Sequence, residues 1–160
     1  MNAARIGHGF DVHAYDKGDG FVLGGVFIPC SRSVVAHSDG DVLIHALCDA
    51  VLGALGRGDI GQWFPDTHAE HEGRDSREFL REIHACCQTD GYGLLNADIT
   101  IIAQAPRLSP HLSAMKLNLS QDLNCEQSCL NIKSTTTEKL GYIGREEGIA
   151  VHAVVLLGKV

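Results

Sequence analysis

Aromatic residues are scarce, at 6% of 160 residues, while hydrophobic residues reach 44%; the core therefore has to be filled mainly by aliphatic side chains. No apolar run approaches the ~20 residues that a helix needs to cross a bilayer. The longest, GIAVHAVVLLG from Gly148 to Gly158, is about half that length and predicts a buried strand. The start, MNAARIGHGFDVH, lacks a charged stretch leading into an apolar core and a small-residue cleavage site, so no export signal is expected and a cytoplasmic location is predicted. Basic residues are outnumbered, 13 against 20 acidic, for a formal net charge of −7. That deficit argues against nucleic-acid binding, which usually shows a basic footprint. An anionic substrate would need its charge met by bound metal, backbone N–H groups and a few chosen cations. The six cysteines, Cys30, Cys48, Cys86, Cys87, Cys125 and Cys129, contain no CxxC pair, and adjacent cysteines are poorly placed to bridge each other, so reduced thiols are expected. No GxSxG elbow, internal repeat or linker-like stretch interrupts the chain, and one domain over residues 1–160 is predicted.

The residues that are present sort into short elements. Arg5 to Ala14 reads as a strand, and Phe21 to Pro29 as a hairpin around Gly24-Gly25. The polar stretch Ala36 to Asp41 leads into a strongly apolar helix from Val42 to Leu55. Ser76 stands where it would cap a second helix, ending near Thr89, whose Phe79, Leu80, Ile83, Cys86 and Cys87 form a helical stripe. Leu95 to Ala103 is rich in strand-forming residues, and Ser109 to Leu123 predicts a third helix. Leu130 to Ser134 and Ile149 to Leu157 complete about four core strands. The incomplete alternation of strands and helices predicts an α+β fold: a mixed sheet with helices on one face and a small N-terminal hairpin.

Three chemical clusters stand out. Asp11 and His13 are two apart, on one face of a strand, and His45 lies one helical turn after Asp41. Two imidazoles and a carboxylate form a common zinc set with the fourth position open; singly, each residue equally suits a turn, a surface position or a satisfied core histidine. His37-Ser38-Asp39-Gly40-Asp41 precedes a helix start, a place that favours phosphate or simply an acidic N-cap. Thr135-Thr136-Thr137-Glu138 offers hydroxyls and a carboxylate suited to a hard cation such as Mg²⁺, or to another helix cap.

Seven segments in order, GHGFDVH (Gly7 to His13), AHSDGD (Ala36 to Asp41) with His45 following, GDIG (Gly58 to Gly61), FPDT (Phe64 to Thr67), AQAP (Ala103 to Pro106), TTTEKLG (Thr135 to Gly141) and GREEGIA (Gly144 to Ala150), resemble the 2-C-methyl-D-erythritol 2,4-cyclodiphosphate synthase family over essentially the whole chain. The resemblance implies a homotrimer with active sites at subunit boundaries. It would convert 4-diphosphocytidyl-2-C-methyl-D-erythritol 2-phosphate to the cyclic diphosphate and CMP in the non-mevalonate isoprenoid route. It implies zinc on Asp11, His13 and His45, and Mg²⁺ or Mn²⁺ held by Glu138. His37 and Ser38 would contact phosphate, with His37 and Thr136 stabilising the transition state. Asp59, Ile60, Gly61, Phe64, Pro65, Asp66, Thr67 and His68 would face the methylerythritol portion. Ala103, Gln104, Ala105, Pro106, Arg107, Leu108 and Ser109, with Thr135, Thr136 and Thr137, would hold the cytidine diphosphate from the neighbouring subunit. Tyr142 and Arg145 would line a central cavity that accepts isoprenoid diphosphates. His68, Arg107 and Tyr142 depart from the commonest family residues, which are acidic, lysine and phenylalanine. Two rival classes remain: a zinc phosphohydrolase that uses the same three ligands and gives an open-chain product, and a trimer that binds cytidine nucleotide or isoprenoid diphosphate without turnover, for which the metal ligands would be unexplained.

Overall fold

The first strand, β1 (Arg5–Lys17), decides where the chemistry sits. In this computed structural model, which describes residues 3–160, its alternate residues face opposite ways. Gly7 and Gly9 are buried under helix α1 (Val42–Leu55), with Asp11 and His13 half-buried farther along the same side, whereas Ile6, His8, Phe10 and Val12 are exposed on the other. The glycines are there for close approach: a Cβ at Gly7 would lie 1.8 Å from the Ala50 carbonyl oxygen, and one at Gly9 1.8 Å from that of Ala46. Helix and strand backbones thus pack almost in contact, and the start of α1 falls beside the middle of β1.

α1 itself is fixed at both ends. Asp41 caps it by accepting from the Ile44 N–H at 3.1 Å, and its carboxylate also accepts from Gly24 and Gly25 at 2.9 and 2.8 Å. That ties the hairpin turn to the helix start. Gly56, at φ 69°, closes the helix in the left-handed conformation that favours glycine. Between them Leu43, Ile44, Leu47 and Leu52 are fully buried, each side chain contributing about 1.5–3 kcal/mol from burial before entropy is counted.

The main sheet has five strands, ordered β4 (Arg32–Val34), β1, β7 (Gly148–Lys159), β5 (Tyr92–Ile102) and β6 (Leu130–Thr135). The sequence predicts about four; the additional one, β4, is only three residues long and carries no readable alternation. Among the described residues only β5 and β6 pair in parallel, and the crossover between them contains α4 (Leu112–Asp122), as a parallel connection requires. β2 (Gly20–Leu23) and β3 (Val26–Pro29) form the expected hairpin around Gly24 and Gly25. A short α2 (Ile60–Trp63) follows α1, and α3 (Ser76–Thr89) packs beside it. The cap of α3 is Asp75, not Ser76: Asp75 accepts from the Arg77 N–H, and Ser76 is already helical and buried. The expected third helix divides into a 3₁₀ turn, Ser109–His111, and α4. All six cysteines are free. Among the described residues no helix is long and apolar enough to cross a membrane.

Candidate metal centre and substrate clefts

At the strand–helix contact three side chains converge. His13 Nε2 lies 2.8 Å from Asp11 Oδ2 and 3.3 Å from His45 Nδ1, and His45 Nδ1 lies 3.2 Å from the same Asp11 oxygen. The far side of each ring is engaged elsewhere. His13 Nδ1 donates to the Val35 carbonyl at 3.2 Å. His45 Nε2 meets the hydroxyls of Ser76 at 2.8 Å and Ser38 at 3.2 Å. With their outer nitrogens engaged, both rings turn their inner nitrogens toward one carboxylate, the orientation a shared cation would use. Asp11, His13 and His45 can hold a metal ion. Burial alone would raise the Asp11 pKa, but hydrogen bonds and charge from His13 and His45 outweigh it and bring it to about 2. Burial opposes charge on His13, and Asp11 reverses the balance, raising its pKa. A carboxylate ionised throughout the physiological range is the form a metal requires.

The Ser76 contact is one that sequence reasoning missed. Asp39 accepts from both the backbone N–H and the hydroxyl of Ser76, so Asp39, Ser76 and His45 form a chain that aims the imidazole. The only sequence signal was Ser76 beside a helix start, where a capping role competes for the same residue.

The triad opens into a cleft of about 330 Å³. His37, Ser38, Ile60, Gly61, Phe64 and Asp66 line it, together with Val35, Ala36, His71 and Phe79, to which the sequence reading gave no substrate contact. Phe64 stacks on Phe79 at 4.2 Å between ring centroids, making an apolar wall. Asp59 sits apart, capping α2 through the Gln62 N–H at 2.9 Å. Pro65, Thr67 and His68 lie outside the lining, and His68 faces a neighbouring groove with His71 and Glu70. Asp41 takes the helix start for itself: buried, with its pKa pushed up to about 6 by burial against three backbone N–H bonds, it is the acidic N-cap rather than part of a phosphate cradle.

A second cleft, of about 310 Å³, lies where the parallel strands β5 and β6 end. Ala103, Gln104, Ala105, Pro106, Arg107, Leu108 and Ser109 line one side, and Ser134, Thr135 and Thr136 the other. It shares no residue with the first. Thr137 donates to the Leu140 carbonyl at 2.7 Å. Glu138 is exposed, at φ 53°, and the short helix α5 (Gly141–Gly144) starts three residues later. It therefore caps no helix, and it is not brought to Asp11, His13 and His45. Tyr142 is exposed, and Arg145 pairs with Glu147 at 2.7 Å.

The YgbB family matches residues 4–158. The chain belongs to the YgbB family. Curated relatives in it include the 2-C-methyl-D-erythritol 2,4-cyclodiphosphate synthases of Thioalkalivibrio sulfidiphilus, 58% identical over 98% of both chains, and of Pseudoalteromonas translucida, 56% identical over 97% of this chain and 94% of that one. This YgbB-family chain carries their activity. IspF of Plasmodium falciparum, solved as a CDP complex, matches at 38% identity and TM-score 0.87 over 99% and 98% of the two chains. The bifunctional IspDF of Campylobacter jejuni matches at 42% identity and TM-score 0.96 over the whole chain, which spans 43% of that longer protein.

Proposed function

We propose that the chain, as one domain, closes the ring of 4-diphosphocytidyl-2-C-methyl-D-erythritol 2-phosphate to give 2-C-methyl-D-erythritol 2,4-cyclodiphosphate and CMP, with zinc on Asp11, His13 and His45 and Mg²⁺ or Mn²⁺ on Glu138. The observation that carries the metal assignment is the convergence of two imidazole nitrogens and one ionised carboxylate in a cleft, with both far nitrogens engaged. The set fits zinc, a borderline ion that takes nitrogen and oxygen ligands and keeps a fourth position open in catalytic sites. When bound, zinc supplies a fixed positive charge that withdraws electron density from phosphate oxygens.

The chain's own residues then do the positioning. His37 and Ser38 border the cleft and can donate to the 2-phosphate, while the Phe64 and Phe79 wall excludes water from the methylerythritol portion. The substrate's 2-phosphate oxygen attacks the β-phosphorus and CMP leaves, so no protein nucleophile is required, and catalysis rests on orientation and charge stabilisation. The cleft bordered by Thr135 and Thr136 is assigned to the cytidine diphosphate, in keeping with the CDP complex of the Plasmodium falciparum relative.

Two clefts without a common residue on one chain support a homotrimer in which the nucleotide cleft of one copy faces the metal cleft of the next. The helix-free sheet face, with exposed Ile6, Phe10, Val12 and Val154, supplies an apolar surface for that packing, with Tyr142 and Arg145 toward the shared axis and its isoprenoid diphosphate. Phosphorus NMR of the purified protein with substrate and Mg²⁺ is expected to show CMP and a cyclic diphosphate. An open-chain product would make it a phosphohydrolase, and no turnover a binding trimer.

A further inference from the structure

Beside the catalytic cleft, the 3₁₀ turn Ala69–His71 brings together a second pair of imidazoles around a carboxylate. We propose that His68, Glu70 and His71 form a second transition-metal site, of zinc class, at the rim of the cleft.

Glu70 Oε1 lies 3.6 Å from His68 Nδ1 and 3.7 Å from His71 Nε2. Those separations are too long for N–H···O hydrogen bonds, which fall at about 2.7–3.2 Å. They lie close to the edge of a tetrahedron, because ligand atoms about 2.0–2.2 Å from zinc stand about 3.3–3.5 Å from one another. One donor atom from each of the three residues lies within 4.8 Å of the other two. His68 and Glu70 are largely exposed, so the two can close that remaining gap without disturbing the core.

His71 is the fixed member of the set. It is only 7% exposed, and its Nδ1 is buried with no hydrogen-bond partner. Its ring is held edge-on against Phe64 and Phe79, at 5.6 and 5.8 Å between centroids. With Nδ1 enclosed, Nε2 is the nitrogen left to meet Glu70, whose Oε1 lies 3.7 Å away. The other carboxylates lining this groove, Glu78 and Glu82, are engaged by Arg74, so among them Glu70 is the one left to the two histidines. A borderline divalent cation suits two nitrogens and one oxygen, whereas Mg²⁺ prefers oxygen ligands alone. His71 lines both this groove and the catalytic cleft; an ion here would pin the turn against the wall that faces the substrate.

Metal-stripped protein titrated with Co²⁺ in excess Mg²⁺, followed by the visible absorption of tetrahedral cobalt, separates this site from the triad. Wild type is expected to bind two equivalents per chain. Glu70→Gln, at an exposed position, should bind one, as should His45→Ala, and the double variant none. Glu70→Gln that binds as many equivalents as wild type overturns the proposal. His45→Ala that retains two equivalents counts instead against the triad, and leaves the Glu70 result to decide the second site.

Discussion

Ser76 helps aim His45 through its hydroxyl, 2.8 Å from Nε2 and anchored by Asp39, with the Ser38 hydroxyl at 3.2 Å as a second partner. Partners of this kind commonly account for about 10–100-fold in metal affinity. Ser76→Ala should therefore weaken zinc binding by about that factor, measured by competition with a chelator, while the circular dichroism stays native. Unchanged affinity would show that His45 needs no such aim. Glu138 offers a second test at this scale. It is exposed and caps no helix, so Glu138→Gln should leave the melting temperature and zinc content near wild type. Turnover should fall and the Mg²⁺ concentration for half-maximal rate should rise. A shifted melting temperature with normal Mg²⁺ dependence would remove Glu138 from the metal-holding residues. Asp11 and His13 could be read as one face of a strand from their spacing alone. The role of Ser76 could not, because Asp75 and Ser76 are adjacent and both suit a helix start; Ser76 is instead held by the bond its N–H donates to Asp39, 37 residues away in sequence.

Between elements, the contact of β1 with α1 holds the triad together, and it rests on missing side chains. Gly9→Ala would place a Cβ 1.8 Å from the Ala46 carbonyl oxygen, one residue from His45. Because the obstacle is backbone, strand and helix must separate, at a cost on the order of 1–3 kcal/mol or more. Urea denaturation should show that loss, and zinc affinity should drop with it even though no ligand has changed. Native stability and affinity in Gly9→Ala would mean that the triad tolerates a looser contact. α1 was legible because an apolar run, an acidic cap and a closing glycine agree over Asp41 to Gly56. β4 was not, since three residues carry no period and its pairing with Tyr15 to Lys17 is purely tertiary. The glycines of β1 were visible in sequence, but not what packs on them. The same holds for His71 and Phe79, which reach the cleft from a separate loop and helix.

Across the whole molecule, helices cover one face of the five-stranded sheet and leave Ile6, Phe10, Val12 and Val154 exposed on the other. The two clefts remain separate on one chain. The proposed shared site requires a trimer, and a mass measurement in solution should give three copies. Co-assembly of two inactive variants tests the shared site most directly. His45→Ala breaks the Asp11, His13 and His45 triad but keeps Glu138, and Glu138→Gln is the reverse. In randomly mixed trimers with cyclic symmetry, about a quarter of the boundaries would join an intact zinc cluster to an intact Glu138. Co-expressed variants are predicted to recover roughly that share of wild-type turnover, measured as CMP release, although each alone is nearly inactive. A mixed assembly no more active than its parents would contradict a site built across the subunit boundary.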